Sequence, residues 1–192
     1  KRCGTDFALL LNPDCKIKVK DIETLVTKSE LFEEIAICSG VIVNRHGDKE
    51  LIPQMKEENN ILSRHNLVDA KFISGCCMLI KTKILDKIGY FDEGFFMYCE
   101  DNELCKRVIK NNLRLAVSPE VSIVHIGGES SKIDKGSPNP ISPHRLGWSK
   151  CYYTQKVHGK PVAILKAAKD YARSTVKLYL LLRSPDPSKG SI

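Results

Sequence analysis

The sequence predicts an α/β protein, because short apolar runs typical of strands alternate along the chain with amphipathic helical stretches. Its 192 residues are 42% hydrophobic, which is enough for a substantial core in one domain of ordinary size. No apolar run reaches the roughly 18 residues that a membrane-spanning helix needs. The composition therefore excludes a disordered chain and an integral membrane segment.

The first half of the chain contains both strand and helix patterns. Continuous apolar or β-branched runs indicate buried strands, and charged residues between apolar ones at helical spacing indicate an amphipathic helix. Asn, Gly and Asp mark the turns. The predicted elements are a buried strand over 7–11 that stops in Asn12-Pro13-Asp14, a helix over 20–34 broken near Ser29, a strand over 35–43, a hairpin turn over 44–48 that leads to a strand over 50–52, and a polar, mobile connection over 54–70.

The second half continues the alternation and ends in helix. A glycine inside a strand suggests that another group approaches the backbone closely, and Gly89 is placed for a left-handed helix cap. The predicted elements are a strand over 72–80 interrupted by Gly75, a helix over 82–88, a helix that starts near Glu100, strands over 113–117 and 121–125 separated by Ser118-Pro119-Glu120, a loop over 126–143, a basic aromatic stretch over 145–159, a helix over 161–183 and a disordered tail over 184–192.

The helix that starts near Glu100 has one mixed face and one charged face. Leu104, Cys105 and Val108 share the apolar face with Asp101, so Asp101 is the acid on the buried side. Glu100 lies with Glu103 on the opposite stripe and is interpreted as a surface acid. A carboxylate held at a helix N-terminus beside aromatic residues suits a general base, although a simple helix-capping role is the alternative.

The eight cysteines show no C-x-x-C spacing, and most lie in apolar runs. This usage indicates buried, reduced thiols of a cytosolic protein rather than disulfides or a metal cluster. The formal net charge of +7 and the isoelectric point near 8.9 favour an acidic partner, such as a nucleotide diphosphate, an anionic membrane surface or nucleic acid. A basic surface that serves only solubility is the alternative.

Three motifs occur in the order found in one enzyme family. They are Leu9-Leu10-Leu11-Asn12-Pro13-Asp14, the segment from Phe72-Ile73-Ser74-Gly75 through Gly89-Tyr90-Phe91-Asp92-Glu93 to Glu100-Asp101-Asn102-Glu103-Leu104, and Val124-His125-Ile126-Gly127-Gly128-Glu129-Ser130-Ser131. In these motifs the chain, from about residue 7 to 155, resembles the family 2 glycosyltransferases, particularly the rhamnosyltransferase-like branch. The resemblance implies a GT-A fold, a Rossmann-like mixed sheet flanked by helices.

The resemblance also implies roles for individual residues. Asp101 is expected to be the catalytic base, and Asp14 and His125 are expected to hold Mn²⁺ or Mg²⁺ on the donor diphosphate. Asn12 departs from the first Asp of the usual metal motif. The expected donor-binding residues are Asn12, Gly127, Gly128, Ser130, Ser131 and Arg145, and the expected acceptor-side residues are Gly75, Glu100 and Tyr98.

The implied reaction is inverting transfer of a sugar, with rhamnose as the associated sugar, from a nucleotide-diphosphate donor to the hydroxyl of a glycan or lipid-linked acceptor in cell-surface polysaccharide synthesis. Residues 1–145 would form the metal and acceptor part of the catalytic domain, and residues 146–183 a helical extension. We expect a cytoplasmic enzyme without a nucleic-acid partner. The final helix is expected to pack by its apolar stripe and to offer its basic stripe to the inner face of an anionic membrane, or else only to cover the core.

Only six residues precede the first predicted strand, whereas the family places a nucleotide-binding part before it. We therefore expect that this part is missing and that the chain alone is catalytically silent. Two other classes stay open. One is a non-catalytic polysaccharide or nucleic-acid binding module that uses Trp148, Tyr152 and Tyr153, and the other is a nucleotidyltransferase on a similar fold. The oligomeric state is not predicted.

Overall fold

The computed structural model describes residues 4–51, 65–95, 97–126 and 141–183, which form a mixed α/β fold as predicted. Five helices accompany a seven-stranded sheet in the described residues. The strands are β1 (Phe7–Leu11), β2 (Cys15–Lys16), β3 (Ile35–Asn44), β4 (Lys49–Leu51), β5 (Val68–Ala70), β6 (Cys77–Lys81) and β7 (Arg114–His125). The helices are α1 (Val19–Glu30), α2 (Thr82–Ile88), α3 (Glu100–Lys110), α4 (Ile141–His158) and α5 (Lys160–Arg183).

The strand order is β1-β6-β3-β7-β2, with β4 paired to β3 and β5 paired to β7. β6 is antiparallel to both β1 and β3, and β3 is parallel to β7. Consequently β1, β3 and β7 run in one direction, and their carboxyl ends meet the start of β6 at one edge. Open α/β sheets bind ligands at such an edge.

Helices cover both faces of the sheet. Residues of α2 and α3 pack with the sheet in one buried cluster, which includes Ile84, Leu104 and Val108. Leu25 of α1 packs with the opposite face, beside Ile35. The sheet therefore has a core on each side, as an α/β fold requires.

The hairpin predicted after β3 is confirmed. β3 and β4 pair in antiparallel register, and the side-chain oxygen of Asn44 accepts hydrogen bonds from the backbone N–H groups of His46 and Asp48. Gly47 has φ 88°, a conformation that favours glycine. The turn chemistry of this segment thus sets the local structure.

The two strands predicted around Ser118-Pro119-Glu120 are one strand, so that prediction is wrong. β7 runs without interruption from Arg114 to His125. Gly40 of β3 pairs with Ser118, but the next residue, Val41, pairs with Ser122, so the residues of β7 between these two serines form a bulge. This bulge accommodates Pro119, which lacks the N–H that a regular ladder needs. A side chain at Gly40 would place Cβ 2.5 Å from the backbone oxygen of Val121, so the bulge requires glycine there.

Two other strand predictions and one loop prediction need correction. β1 is the outermost strand of the described sheet rather than a buried one, and Leu10 and Leu11 are 39% and 37% exposed. Residues 72–76 precede β6 as loop instead of forming its first half, so Gly75 does not lie in a strand. Part of the predicted mobile connection is ordered, because β5 pairs with β7. Residues 52–64 lie outside the described chain.

The helix boundaries agree with the sequence more closely. α1 ends at Glu30, near the break predicted at Ser29, α2 matches its predicted limits, and α3 begins at the predicted Glu100. Gly89 has a positive φ of 91°, but its ψ of 153° is not that of the predicted left-handed cap. Its N–H still donates to the carbonyl of Leu85 and closes the last turn of α2.

The C-terminal helices begin earlier and pack less than predicted. α4 starts at Ile141, within the predicted loop and ahead of the predicted boundary at residue 146. The apolar stripe of α5 does not pack on the domain in the described residues, so that prediction is wrong. Ala163 is buried, but Leu165 and Val176 are 72% and 57% exposed. The described helices include none that is long and apolar enough to cross a membrane. The tail over 184–192 lies outside the described residues.

Candidate functional site

The two predicted metal ligands meet at the carboxyl edge of the sheet. β1 ends in a turn in which the N–H of Cys15 donates to the carbonyl of Asn12, and the carbonyl of Asp14 accepts a hydrogen bond from the N–H of Ile126. Cys15 also pairs directly with His125 in the β2–β7 ladder. These bonds bring Asp14 Oδ2 to 3.4 Å from His125 Nε2. The Asp14 side chain is only 3% exposed, so its carboxylate is largely removed from water.

The predicted base is connected to the same edge through the loop before β6. The N–H of Asn12 donates to the carbonyl of Cys76 over 3.0 Å, which joins the end of β1 to this loop. In the same loop, the N–H of Gly75 donates to Asp101 Oδ2 over 3.0 Å. The N–H and the side-chain amide of Asn102 both donate to Asp101 Oδ1, over 2.7 Å and 3.3 Å. Three donors therefore orient the carboxylate, and Oδ2 retains acceptor capacity for a further partner.

The helical phase that singled out Asp101 is confirmed. Leu104, Cys105 and Val108 are fully buried under the sheet, whereas Asp101 is half-buried at the start of the same face. The predicted ion pair between Glu103 and Arg107 is also present, with 2.6 Å between carboxylate oxygen and guanidinium nitrogen. Apolar burial of α3 thus determines where the Asp101 carboxylate lies.

The prediction that Glu100 is a surface acid is wrong. Its Oε2 is buried and has no hydrogen-bond partner among the described residues. Burial raises the pKa of the Glu100 carboxyl, and the neighbouring Asp101 charge acts in the same direction. The helical pattern assumes a continuous helix, whereas Glu100 is the first residue of α3. Glu100 is therefore a partly desolvated acid beside the predicted base.

The chain enters α3 through two residues with left-handed backbone conformations. Tyr98 and Cys99 have φ values of 71° and 69°, which non-glycine residues rarely adopt. Each costs on the order of 1–3 kcal/mol unless the surroundings enforce it, and such outliers cluster at functional sites. Tyr98, predicted on the acceptor side, is 39% exposed. The strain lies immediately before Glu100 and Asp101.

Helix α4 holds this loop in place. Ser149 Oγ donates to the carbonyl of Met97 over 2.6 Å. Asp92 accepts hydrogen bonds from the N–H of Gly94 and from the hydroxyl of Tyr152, and it lies 2.8 Å from the Lys156 ammonium. Lys156 is the main cause of a lowered Asp92 pKa. Asp92 thus has a structural role, because it accepts an N–H group of its own turn and binds two side chains of α4.

Sequence reasoning missed the two thiols at the centre of this region. The sulfur atoms of Cys15 and Cys76 and a ring nitrogen of His125 all lie within 4.8 Å of one another. Burial is the main cause that raises the pKa of Cys15 to about 12, and Cys76 and Asp14 add to it. Spacing gave no indication of this group because its members come from three distant segments. The sequence did contain one signal, because each cysteine directly follows a predicted site residue. Cys15 follows Asp14, and Cys76 follows Gly75.

The predicted donor-binding residues are only partly described. Gly127, Gly128, Ser130 and Ser131 lie outside the described residues, and for Arg145 only the helical backbone is described. Asn12 lies in the site, where its amide nitrogen is 4.0 Å from Cys76 Sγ. A cavity of about 290 Å³ lined by Phe7 and Lys81 lies at the opposite end of β1 and is unrelated to these residues.

Asp14 and His125 fit a divalent cation. A buried carboxylate oxygen and an imidazole nitrogen 3.4 Å apart can be neighbours on one ion. Mn²⁺ accepts this mixture of ligands more readily than Mg²⁺, which prefers oxygen alone. Two protein ligands leave positions for water and for phosphate oxygens of a substrate.

No protein-family model matches the chain. A low-salt glycan biosynthesis hexosyltransferase of Haloferax volcanii is 32% identical over 130 residues, which are 62% of this chain and 42% of that protein. A rhamnosyltransferase of Escherichia coli is 25% identical over 139 residues, 62% of this chain and 52% of its own length. An N-acetylglucosaminyl-diphospho-decaprenol L-rhamnosyltransferase of Mycobacterium tuberculosis is 32% identical over 66 residues, 34% of this chain and 22% of that protein.

The chain spans about half the length of the first two of these relatives. A solved structure of GalNAc-T7 with UDP, GalNAc and Mn²⁺ has a TM-score of 0.48 and 14% identity, and the match covers 63% of this chain and 27% of GalNAc-T7. The similar curated proteins are named as hexosyl- or rhamnosyltransferases, which supports glycosyl transfer in general.

Proposed function

We propose that the protein is a glycosyltransferase of the GT-A type that moves a sugar from a nucleotide-diphosphate donor to an acceptor hydroxyl. The observation that carries the proposal is the hydrogen bond from the Gly75 N–H to Asp101 Oδ2, on a loop that also bonds the end of β1 near Asp14 and His125. A positioned carboxylate and a metal-compatible pair therefore share one edge of the sheet. The names of the hexosyl- and rhamnosyltransferase relatives support the same reaction class.

In this reaction Asp101 removes the proton of the acceptor hydroxyl while the hydroxyl oxygen bonds to the anomeric carbon of the sugar. The bond from that carbon to the nucleotide diphosphate breaks on the opposite face, so the sugar configuration inverts. The backbone N–H groups of Gly75 and Asn102 keep the carboxylate oriented throughout. Asp14 and His125 would hold a divalent cation, which would supply positive charge for the leaving diphosphate.

The partly buried Glu100 carboxyl and the strained Tyr98–Cys99 backbone directly precede the proposed base in the chain. Burial raises the pKa of the Glu100 carboxyl. The acceptor side of the proposed active site is lined by Gly75, Glu100 and Tyr98. Rhamnose as the sugar and a lipid-linked glycan as the acceptor rest on the relatives' names alone.

We further propose that α5 contacts the surface of a membrane. The exposed apolar residues Ile164 and Leu165 lie on the same helix as Lys166, Lys169 and Arg173. A helix that exposes both apolar and basic residues favours the interface of an anionic bilayer. Such contact would bring the enzyme to a lipid-linked acceptor.

A donor screen tests the function. The intact gene product is assayed with a panel of nucleotide-diphosphate sugars and Mn²⁺, with release of nucleotide diphosphate as the readout. We expect turnover with one donor, its loss in chelator and its recovery on adding metal. Asp14→Ala should weaken metal-dependent donor binding more than His125→Ala, because only the carboxylate offsets cation charge. Full activity in chelator would refute the metal role, and no turnover or binding with any donor would refute the function.

A further inference from the structure

The cluster formed by Cys15, Cys76 and His125 is chemically unlike the hard-metal site expected from the sequence. Its two sulfur atoms and its ring nitrogen lie within 4.8 Å of one another. All three are fixed by backbone bonds, since Cys15 pairs with His125 in a ladder and the carbonyl of Cys76 accepts the N–H of Asn12. We propose that these three side chains form a binding site for Zn²⁺, a thiophilic divalent cation.

The ligand spacing suits a tetrahedral zinc ion. Zn–S bonds of about 2.3 Å and Zn–N bonds of about 2.0 Å put neighbouring ligand atoms about 3.5–3.8 Å apart. The observed upper limit of 4.8 Å is within about 1 Å of this spacing, so small side-chain rotations close the site around an ion. Thiolates select zinc over magnesium and manganese, which prefer oxygen ligands. Binding releases the thiol protons to solvent.

A carboxylate lies against the imidazole of the cluster. Asp14 Oδ2 lies 3.4 Å from His125 Nε2. The carboxylate can therefore orient the imidazole from outside the ion, as carboxylates commonly do for zinc-bound histidines.

His125 belongs to both the zinc cluster and the pair proposed for the donor metal. Zinc held by the two thiolates should therefore exclude the donor metal from Asp14 and His125 and inhibit transfer. Zinc binding itself stands apart from the transferase reaction, and only this competition rests on the proposed function. A binding measurement consequently separates failure of one from failure of the other.

The test is a metal titration of the full chain, stripped with chelator and kept in a non-thiol reductant. Co²⁺ serves as the spectroscopic substitute for zinc. We expect one equivalent to produce a thiolate-to-cobalt charge-transfer band, and one equivalent of Zn²⁺ to abolish it. Cys76→Ser should weaken zinc binding by at least about tenfold. The matched control is Cys151→Ser, a change at an exposed thiol on α4 that should have no effect.

Absence of the charge-transfer band, or an equal loss of affinity in Cys151→Ser, would overturn the proposal. X-ray absorption at the zinc edge of the unmodified protein gives a result that does not depend on how the variants fold. Two sulfur neighbours with nitrogen or oxygen in the remaining positions would support the site. A shell of oxygen and nitrogen alone would refute it.

Discussion

Replacing Asp101 with Asn tests the base assignment because the amide keeps the shape of the side chain but cannot accept a proton. The carboxylate accepts the Gly75 N–H at Oδ2 and the Asn102 N–H at Oδ1. An amide has one acceptor oxygen, so one of these two donors must face an NH₂ group. A hydrogen bond to a charged group contributes about 1.5–3 kcal/mol, and half-burial of Asp101 favours the lower end of that range.

This cost leaves most of the protein folded, since domains of this size are stable by about 5–15 kcal/mol. Loss of the base should lower turnover by about 10²–10⁴-fold, far more than the folded fraction changes. The assay combines turnover, donor binding and denaturant unfolding of the same preparations. Donor binding should survive. Asp21→Asn makes the same chemical change in the first turn of α1 and should leave turnover unaltered. Turnover of Asp101→Asn within about tenfold of the parent would refute the assignment.

Three further predictions concern the fold, the neighbouring acid and the last helix. Gly40→Ala should destabilise the protein by about 3 kcal/mol in denaturant unfolding, because Cβ would lie 2.5 Å from backbone oxygen. Gly75→Ala, whose Cβ would meet nothing closer than 3.6 Å, should change stability by less than about 0.5 kcal/mol, and equal losses would contradict this steric account. The raised pKa of the Glu100 carboxyl means that its ionisation destabilises the folded state, so the protein should lose stability relative to Glu100→Gln as pH rises above the ordinary value of 4.5. Parallel stability curves for the two proteins would rule out this burial effect. Deleting α5 should reduce co-sedimentation with anionic vesicles but not with neutral ones, and unchanged sedimentation would exclude membrane contact through this helix.

Local sequence patterns predicted the structure correctly where residues a few positions apart determine it. The phase of α3 followed from the spacing of Leu104, Cys105 and Val108, because a helix must bury its apolar stripe. The β3–β4 turn followed from Asn44 and Gly47, whose side-chain and backbone preferences act over four residues. The same rules placed Asp101 at the start of the buried face, while its role as the base stays a prediction.

Long-range contacts decided the features that the sequence concealed. β7 is one strand despite Pro119, because its long pairing with β3 outweighs a local break and a bulge absorbs the proline. Apolar residues recur at helical spacing along α5, but this pattern does not show which surface the apolar stripe packs against. In the described residues most of the stripe is exposed. Burial of such surfaces depends on the position of other elements.

By itself, the sequence determined the alternation of strands and helices, the buried face of α3 and the identity of the acids and the histidine available for chemistry. Only the tertiary structure decided that Cys15 and Cys76 join His125 and that Glu100 loses contact with water at one oxygen. The physical reason is the distance along the chain over which each interaction acts. Helical phase and turn conformation depend on residues a few positions apart, whereas sheet register brings distant segments together, and desolvation and ligand geometry depend on that register.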